Sequence, residues 1–160
     1  VFGQQNGESG TQRDVQSKTY SLMLKGLLSH SVEEISVKNA RMLKQDSIIW
    51  LDAREPSETN VSKIKNAITV GYDNFSFDSL ATVDKNACII VYCSVGYRSE
   101  KISEKLLSAG YKNVKNLYGG LFEWSNNEYP LYSDTTSTSR IHAYNKIWGN
   151  WINKGEKVYK

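Results

Sequence analysis

An α/β fold built on a mainly parallel sheet is predicted by three observations. Short apolar runs such as Ile48-Ile49-Trp50-Leu51 and Ala87-Cys88-Ile89-Ile90-Val91-Tyr92 have the character of strands buried on both faces. They alternate with segments whose apolar residues recur at helical spacing. Gly and polar clusters punctuate the boundaries, as at Gly110 and Gly119-Gly120. A chain of 160 residues with 39% hydrophobic and 23% charged residues suits one globular domain and is too apolar for general disorder.

The elements follow in order. Gln4 to Gln16 is polar and reads as a mobile lead-in, so residues 1–17 are expected to be flexible. Tyr20, Met23, Leu24, Leu27 and Leu28 mark an amphipathic helix, and Ser36 caps a second, shorter one through Val37, Ala40, Met42 and Leu43. Strands are expected at Ile48–Leu51, Ala67–Val70 and Ala87–Tyr92. After a six-residue loop, Ser99 to Ala109 forms a helix that stops at Gly110. Val114–Leu117 is a further strand, and Gly119-Gly120 opens a short helix to Trp124. The Ser/Thr-rich patch Ser133–Ser139 reads as a linker. Beyond it, Ile141, Tyr144, Ile147, Trp148, Trp151 and Ile152 are spaced as a C-terminal amphipathic helix expected to pack on the domain.

Several function classes are disfavoured. A net charge of +3 is short of the clustered positive stripe that a phosphate backbone requires, so nucleic acid is not expected as a partner. No run approaches the roughly 18 apolar residues of a membrane-spanning helix, and the chain reads as soluble. Val1-Phe2-Gly3 entering a polar stretch leaves two locations open, a bacterial cell envelope after removal of a leader, or the cytoplasm. Cys88 and Cys93 are the two cysteines, with no His, Asp or Glu cluster at zinc-ligand spacing around them, so no metal or other cofactor is expected. Lying on or at the end of one strand, they cannot easily join in a disulfide.

The chemistry concentrates where a strand ends in Cys93-Ser94-Val95-Gly96-Tyr97-Arg98 and a helix begins at Ser99. A sulfur nucleophile must be a thiolate, which a helix N-terminus favours through unpaired N–H groups and partial positive charge. The order strand, Cys93, tight loop, helix aims successive amides at one spot. Gly96 lets the backbone turn, and Arg98 adds a cation whose fork suits oxyanions. Cys93 and Arg98 are therefore the candidate catalytic residues, with Ser94, Val95, Gly96, Tyr97 and Ser99 as an anion-binding loop. Cys88, mid-strand among apolar neighbours, reads as an inert core residue. His30 and His142 are too far apart in sequence to suggest a ligand pair.

An aliphatic strand leads into Asp52-Ala53-Arg54-Glu55-Pro56-Ser57-Glu58, Lys63-Ile64-Lys65-Asn66-Ala67 follows, the loop Cys-x-x-Gly-x-Arg-Ser stands at Cys93–Ser99, and Gly119, Gly120, Trp124 and Pro130 close the series. In these four patterns, the second in reduced form, the sequence resembles the rhodanese family. The resemblance covers roughly residues 34–131. It implies a three-layer α/β/α domain over residues 18–132, with residues 133–160 as linker and packed helix. It further implies that Cys93 takes sulfur from a thiosulfate-like anion, becomes a persulfide, and hands it to a thiophilic acceptor such as cyanide or a thiol. Asp52 and Arg54 are expected to be supporting residues that tie the loop after the first long strand to its surroundings. Thr59, Ser62, Lys63 and Asn66 depart from the family pattern and leave the subfamily open. A phosphatase branch of the family carries one more residue between Cys and Arg, and the loop here has the shorter, sulfurtransferase length. The alternative to an enzyme is a rhodanese-like module that binds, or delivers sulfur to, one protein partner.

Overall fold

The computed structural model describes residues 12–160. Five parallel strands form the central sheet in the order β1-β5-β4-β2-β3: β1 (Glu34–Ser36), β2 (Ile48–Asp52), β3 (Ile68–Thr69), β4 (Cys88–Tyr92) and β5 (Asn113–Tyr118). The register pairs Asp52 with Tyr92 and Val91 with Asn116, which brings the carboxyl ends of the central strands to one edge.

Because side chains alternate along a strand, each central strand feeds two cores. Trp50, Ile90, Tyr92 and Leu117 pack on one face against helix α1 (Lys18–Leu27), through Tyr20 and Leu24, and against helix α5 (Gly120–Asn126), through Leu121 and Trp124. Leu51, Ile89, Val91 and Cys93 pack on the other against helix α4 (Tyr97–Ser108), through Ile102 and Leu106. Helices on both faces of a parallel sheet make the expected α/β/α arrangement. Cys88 and Cys93 consequently belong to opposite faces, and both thiols are free.

Two short helices complete the frame. In α2 (Val37–Met42), the Ser36 side chain accepts from Asn39 N, the cap its sequence predicts. In α3 (Pro56–Thr59), Pro56 starts the helix and Glu55 and Glu58 form a reciprocal capping box. Strand β1 has no counterpart in the sequence pattern. Its one apolar residue, Ile35, is too little to show a period, and the strand exists because Glu34–Ser36 pairs with Asn116–Tyr118 at the sheet edge.

Three expectations about the ends are corrected. Residues 12–16 are tied to the domain: Gln12 Oε1 accepts from Ser36 N at 3.2 Å, Arg13 Nε donates to Glu34 at 2.6 Å, and Gln16 N donates to Glu123 at 2.8 Å. The rest of the expected mobile lead-in lies outside the described residues. The Ser/Thr patch is a hairpin, not a linker, with β6 (Leu131–Ser133) antiparallel to β7 (Thr136–Thr138) and Asp134 at φ 52° in the turn.

The expected C-terminal amphipathic helix is instead strand β8 (Arg140–His142), a 3₁₀ turn at Trp148–Trp151, and strand β9 (Glu156–Val158), parallel to β8. Alternation over Ile141 to Ala143 buries Ile141 and Ala143 completely, whereas Ile147 is 77% exposed. A left-handed Tyr144 at φ 69° breaks any helix there. Gly155 at φ 125° brings the chain so close to Ser125 that a Cβ would stand 2.7 Å from its Oγ.

Candidate active site

The floor of the site is the end of β4. Cys93 is 1% exposed, and Gly96 N donates to its Sγ at 3.2 Å. Gly96 is the N-cap of the 12-residue α4 and adopts φ 127°, a region that side chains disfavour. The positive end of a three-turn helix therefore faces the sulfur. Ser99 Oγ lies 3.4 Å from Sγ and 2.6 Å from Asn116 Oδ1, while Asn116 Nδ2 donates to Gly96 O at 2.9 Å. Asn116, fully buried on β5, thus braces the loop from beneath.

A second brace comes from α5. Leu121 N donates to Cys93 O at 2.9 Å and Phe122 N to Ser94 O at 3.0 Å, so the first turn of that helix satisfies loop carbonyls that would otherwise be buried unpaired. The approach requires glycine. A Cβ on Gly120 would stand 2.4 Å from Ser94 O and 2.7 Å from Cys93 O. This is the physical basis of the second glycine of the Gly119-Gly120 pair in the sequence.

Arg98 differs from expectation. Its guanidinium is engaged bidentately by Glu58, Nη1 to Oε2 and Nη2 to Oε1 at 2.7 Å each, with Nη2 also donating to Ser94 Oγ at 3.1 Å. Ser94 Oγ donates in turn to Glu58 Oε1 at 3.1 Å. The fork predicted to receive an oxyanion therefore already holds a carboxylate. Burial opposes the charge on Glu58, but the hydrogen bonds and charge of Arg98 outweigh it and hold Glu58 below the usual carboxylate range. Arg98 ties α4 to α3 across the loop in this geometry.

Asp52 and Arg54 lie deeper. Arg54 Nε and Nη2 donate to the two Asp52 oxygens at 2.9 and 2.7 Å, and Nη2 reaches Ser62 O at 2.7 Å, with both side chains inaccessible to solvent. Neither lines the cleft above Cys93. They fasten the segment after β2 to the segment before β3.

The cleft has a volume of about 430 Å³ and opens over Cys93, Ser94 and Val95. Tyr97 and Arg98 from α4 and Glu55, the N-cap of α3, line it, together with residues that the sequence did not nominate: Leu27 of α1, Tyr72 and Asp73 after β3, and Tyr144 and Trp148 after β8. Glu58 is visible in the Asp52–Glu58 pattern, and its acidic character is the available signal. Tyr144 and Trp148 carry no signal, because their spacing reads as a helix.

A family model for the rhodanese-like domain matches residues 37–127, more than half of the chain. The chain belongs to the rhodanese-like family. A tRNA uridine(34) hydroxylase of Hamiltonella defensa is 35% identical over 103 residues, which are 61% of this chain and 27% of that protein, so the chain spans about a quarter of that relative's length. Among solved structures, a rhodanese-like domain protein from Staphylococcus aureus is 28% identical with a TM-score of 0.51, covering 56% of this chain and 88% of that one. The BH2092 protein of Bacillus halodurans superposes with a TM-score of 0.59 over 75% of this chain and 87% of that one; at 22% identity it shows the shared fold. Leu27, Tyr144 and Trp148 all lie outside the residues that match the rhodanese-like family model.

Proposed function

We propose that this rhodanese-like domain is a sulfurtransferase centre: Cys93 accepts a sulfane sulfur as a persulfide and passes it to a thiophilic acceptor such as cyanide or a thiol. The observation that carries the reading is the Cys93 sulfur at the floor of an open cleft, receiving the Gly96 N–H at 3.2 Å from the start of α4. A thiolate so placed is stabilised by the helix end and by preorganised amide dipoles, which also favour the terminal sulfur of a persulfide. With thiosulfate, the Cys93 thiolate attacks the outer sulfur, the new S–S bond forms as the old one breaks, and sulfite leaves with the bonding pair. Cyanide then attacks the outer sulfur of the persulfide, thiocyanate departs, and the thiolate returns. Four residues between Cys93 and Arg98 keep the loop too tight for a tetrahedral phosphoester above the sulfur, and aryl phosphate hydrolysis is expected to be negligible.

Intact mass after incubation with a sulfane donor tests this directly. Wild type and Cys88→Ser should each gain the mass of one sulfur atom, and Cys93→Ser should gain nothing. Loss of the adduct in a folded Cys88→Ser protein, or its retention in Cys93→Ser, would refute the choice of nucleophile. Turnover with cyanide separates an enzyme from a carrier dedicated to one protein partner, which loads once and releases slowly.

The tRNA uridine(34) hydroxylase relative favours a second reading, in which the domain is one part of a longer protein acting on tRNA. The cleft argues for the first. Among the described residues its lining has one cation, Arg98, already paired with Glu58, and carries Glu55 and Asp73, a poor setting for a phosphate backbone. A tRNA uridine modified in a Cys93-dependent manner, with no sulfur adduct on Cys93, would decide for the second reading.

A further inference from the structure

The walls of the cleft carry information that the loop at its floor does not. Four rings, those of Tyr72, Tyr97, Tyr144 and Trp148, stand around the opening above Cys93, joined by Leu27 and Val95. Among the described residues the charges that line it are two carboxylates, Glu55 and Asp73, and the Arg98 guanidinium, which Glu58 neutralises at 2.7 Å. Nearby, the Lys101 ammonium lies 5.7 Å from the Tyr97 ring centroid and is paired with Glu104 at 3.3 Å. Above the sulfur, then, the cleft is aromatic and on balance acidic, a poor receptor for a small dianion.

The two rings from the C-terminal segment are held in place. Tyr144 sits at φ 69°, with its N–H donated to His142 Nδ1 at 3.0 Å, and the Arg98 guanidinium carbon lies 5.3 Å from its ring centroid. Trp148 N donates to Asn145 Oδ1 at 2.9 Å, and Gly149 N to Asn145 O at 2.8 Å. His142 and Gly149 are buried, so the turn that presents the rings is anchored on both sides. Preorganised rings of this kind gain apolar contact with little ordering cost.

We propose that Tyr144 and Trp148 are specificity-determining residues that select a sulfane donor bearing a ring or comparable apolar group and at most one negative charge, in preference to inorganic thiosulfate. This deepens, and rests on, the sulfurtransferase reading. The transferred sulfur reaches the Gly96 amide while the group that leaves with the sulfinate lies among the rings. With benzenethiosulfonate, the Cys93 thiolate takes the outer sulfur, the donor S–S bond breaks, and benzenesulfinate departs with the bonding pair. One negative charge remains on the persulfide and one on the product.

The test compares three donors that deliver the same atom: thiosulfate, methanethiosulfonate and benzenethiosulfonate. The last two are both monoanions and differ as methyl and phenyl. Each kcat/KM with cyanide as acceptor is divided by the donor's rate with free cysteine to remove intrinsic reactivity. The expected normalised preference for benzenethiosulfonate over methanethiosulfonate is about tenfold, the contribution of burying part of one ring, with thiosulfate the poorest of the three. Tyr144→Ala should cut the preference severalfold, Tyr144→Ala/Trp148→Ala should bring it close to one, and Tyr144→Phe should retain it. Tyr144 is 50% exposed, so its truncation leaves a folded chain to measure even if Trp148→Ala loosens the core. A wild-type preference near one, or one unchanged by Tyr144→Ala, overturns the inference while leaving the sulfurtransferase reading intact. Absence of a Cys93 persulfide with all three donors overturns the reading on which it rests.

Discussion

Replacing Gly120 by alanine places one methyl group where the active loop's backbone already is. The new Cβ would stand 2.4 Å from Ser94 O, 2.6 Å from Ser94 C and 2.7 Å from Cys93 O, and none of these atoms can swing away as a flexible side chain would. Gly120 also has φ 62°, a left-handed conformation that costs a non-glycine residue about 1–2 kcal/mol. Relief requires α5 to withdraw, which gives up the Leu121–Cys93 and Phe122–Ser94 hydrogen bonds at about 1 kcal/mol each. The sum is roughly 3–4 kcal/mol, or about 6–16 °C in Tm for a chain of this size. Urea and thermal denaturation read the stability, and intact mass after sulfane donor treatment reads the loop. Gly26, in α1, is the control, because a methyl group added there would meet nothing within 4 Å. Gly26→Ala should stabilise by about 0.5–1 kcal/mol. Should Gly120→Ala lie within about 1 kcal/mol of wild type with sulfur loading unchanged, the close-approach argument is wrong.

The Glu58–Arg98 pair makes a pH prediction. Glu58 titrates lower in the folded chain than in the unfolded one, so its contribution is complete above the ordinary carboxylate range near 4.5 and is lost as pH falls through the folded value. Glu58→Gln, which leaves Arg98 unbalanced, should cost about 2–4 kcal/mol at neutral pH, and the gap to wild type in urea denaturation should narrow in acid; a gap independent of pH would show that the carboxylate charge is not what matters. Ile141, fully buried where a linker and helix were expected, should cost about 2–5 kcal/mol when changed to alanine. A loss under about 0.5 kcal/mol would mean that the C-terminal segment is not part of the core.

Local pattern was enough to establish the α/β class, the strands around Trp50, Ile90 and Leu117, and the tight loop from Cys93 into the following helix. A strand buried on both faces must be apolar throughout, and a strand that turns tightly into a helix start shows Cys93, Gly96 and the helix in sequence, so both signals are contained within a few residues. Ser36 announced its helix start for the same reason. What the sequence did not disclose depends on pairing between distant segments. Glu34–Ser36 is a strand because Asn116–Tyr118 offers free hydrogen-bonding groups. Arg140–His142 is a strand because Glu156–Val158 lies beside it, and Gly155 and a left-handed Tyr144 defeat the helical spacing of its apolar residues. Arg98 is a brace because Glu58, forty positions earlier, arrives at 2.7 Å. The rings of Tyr144 and Trp148 overlook Cys93 because the chain end folds back across the carboxyl edge of the sheet. Periodicity reports which face of an element is apolar; which partner covers that face is decided by tertiary packing.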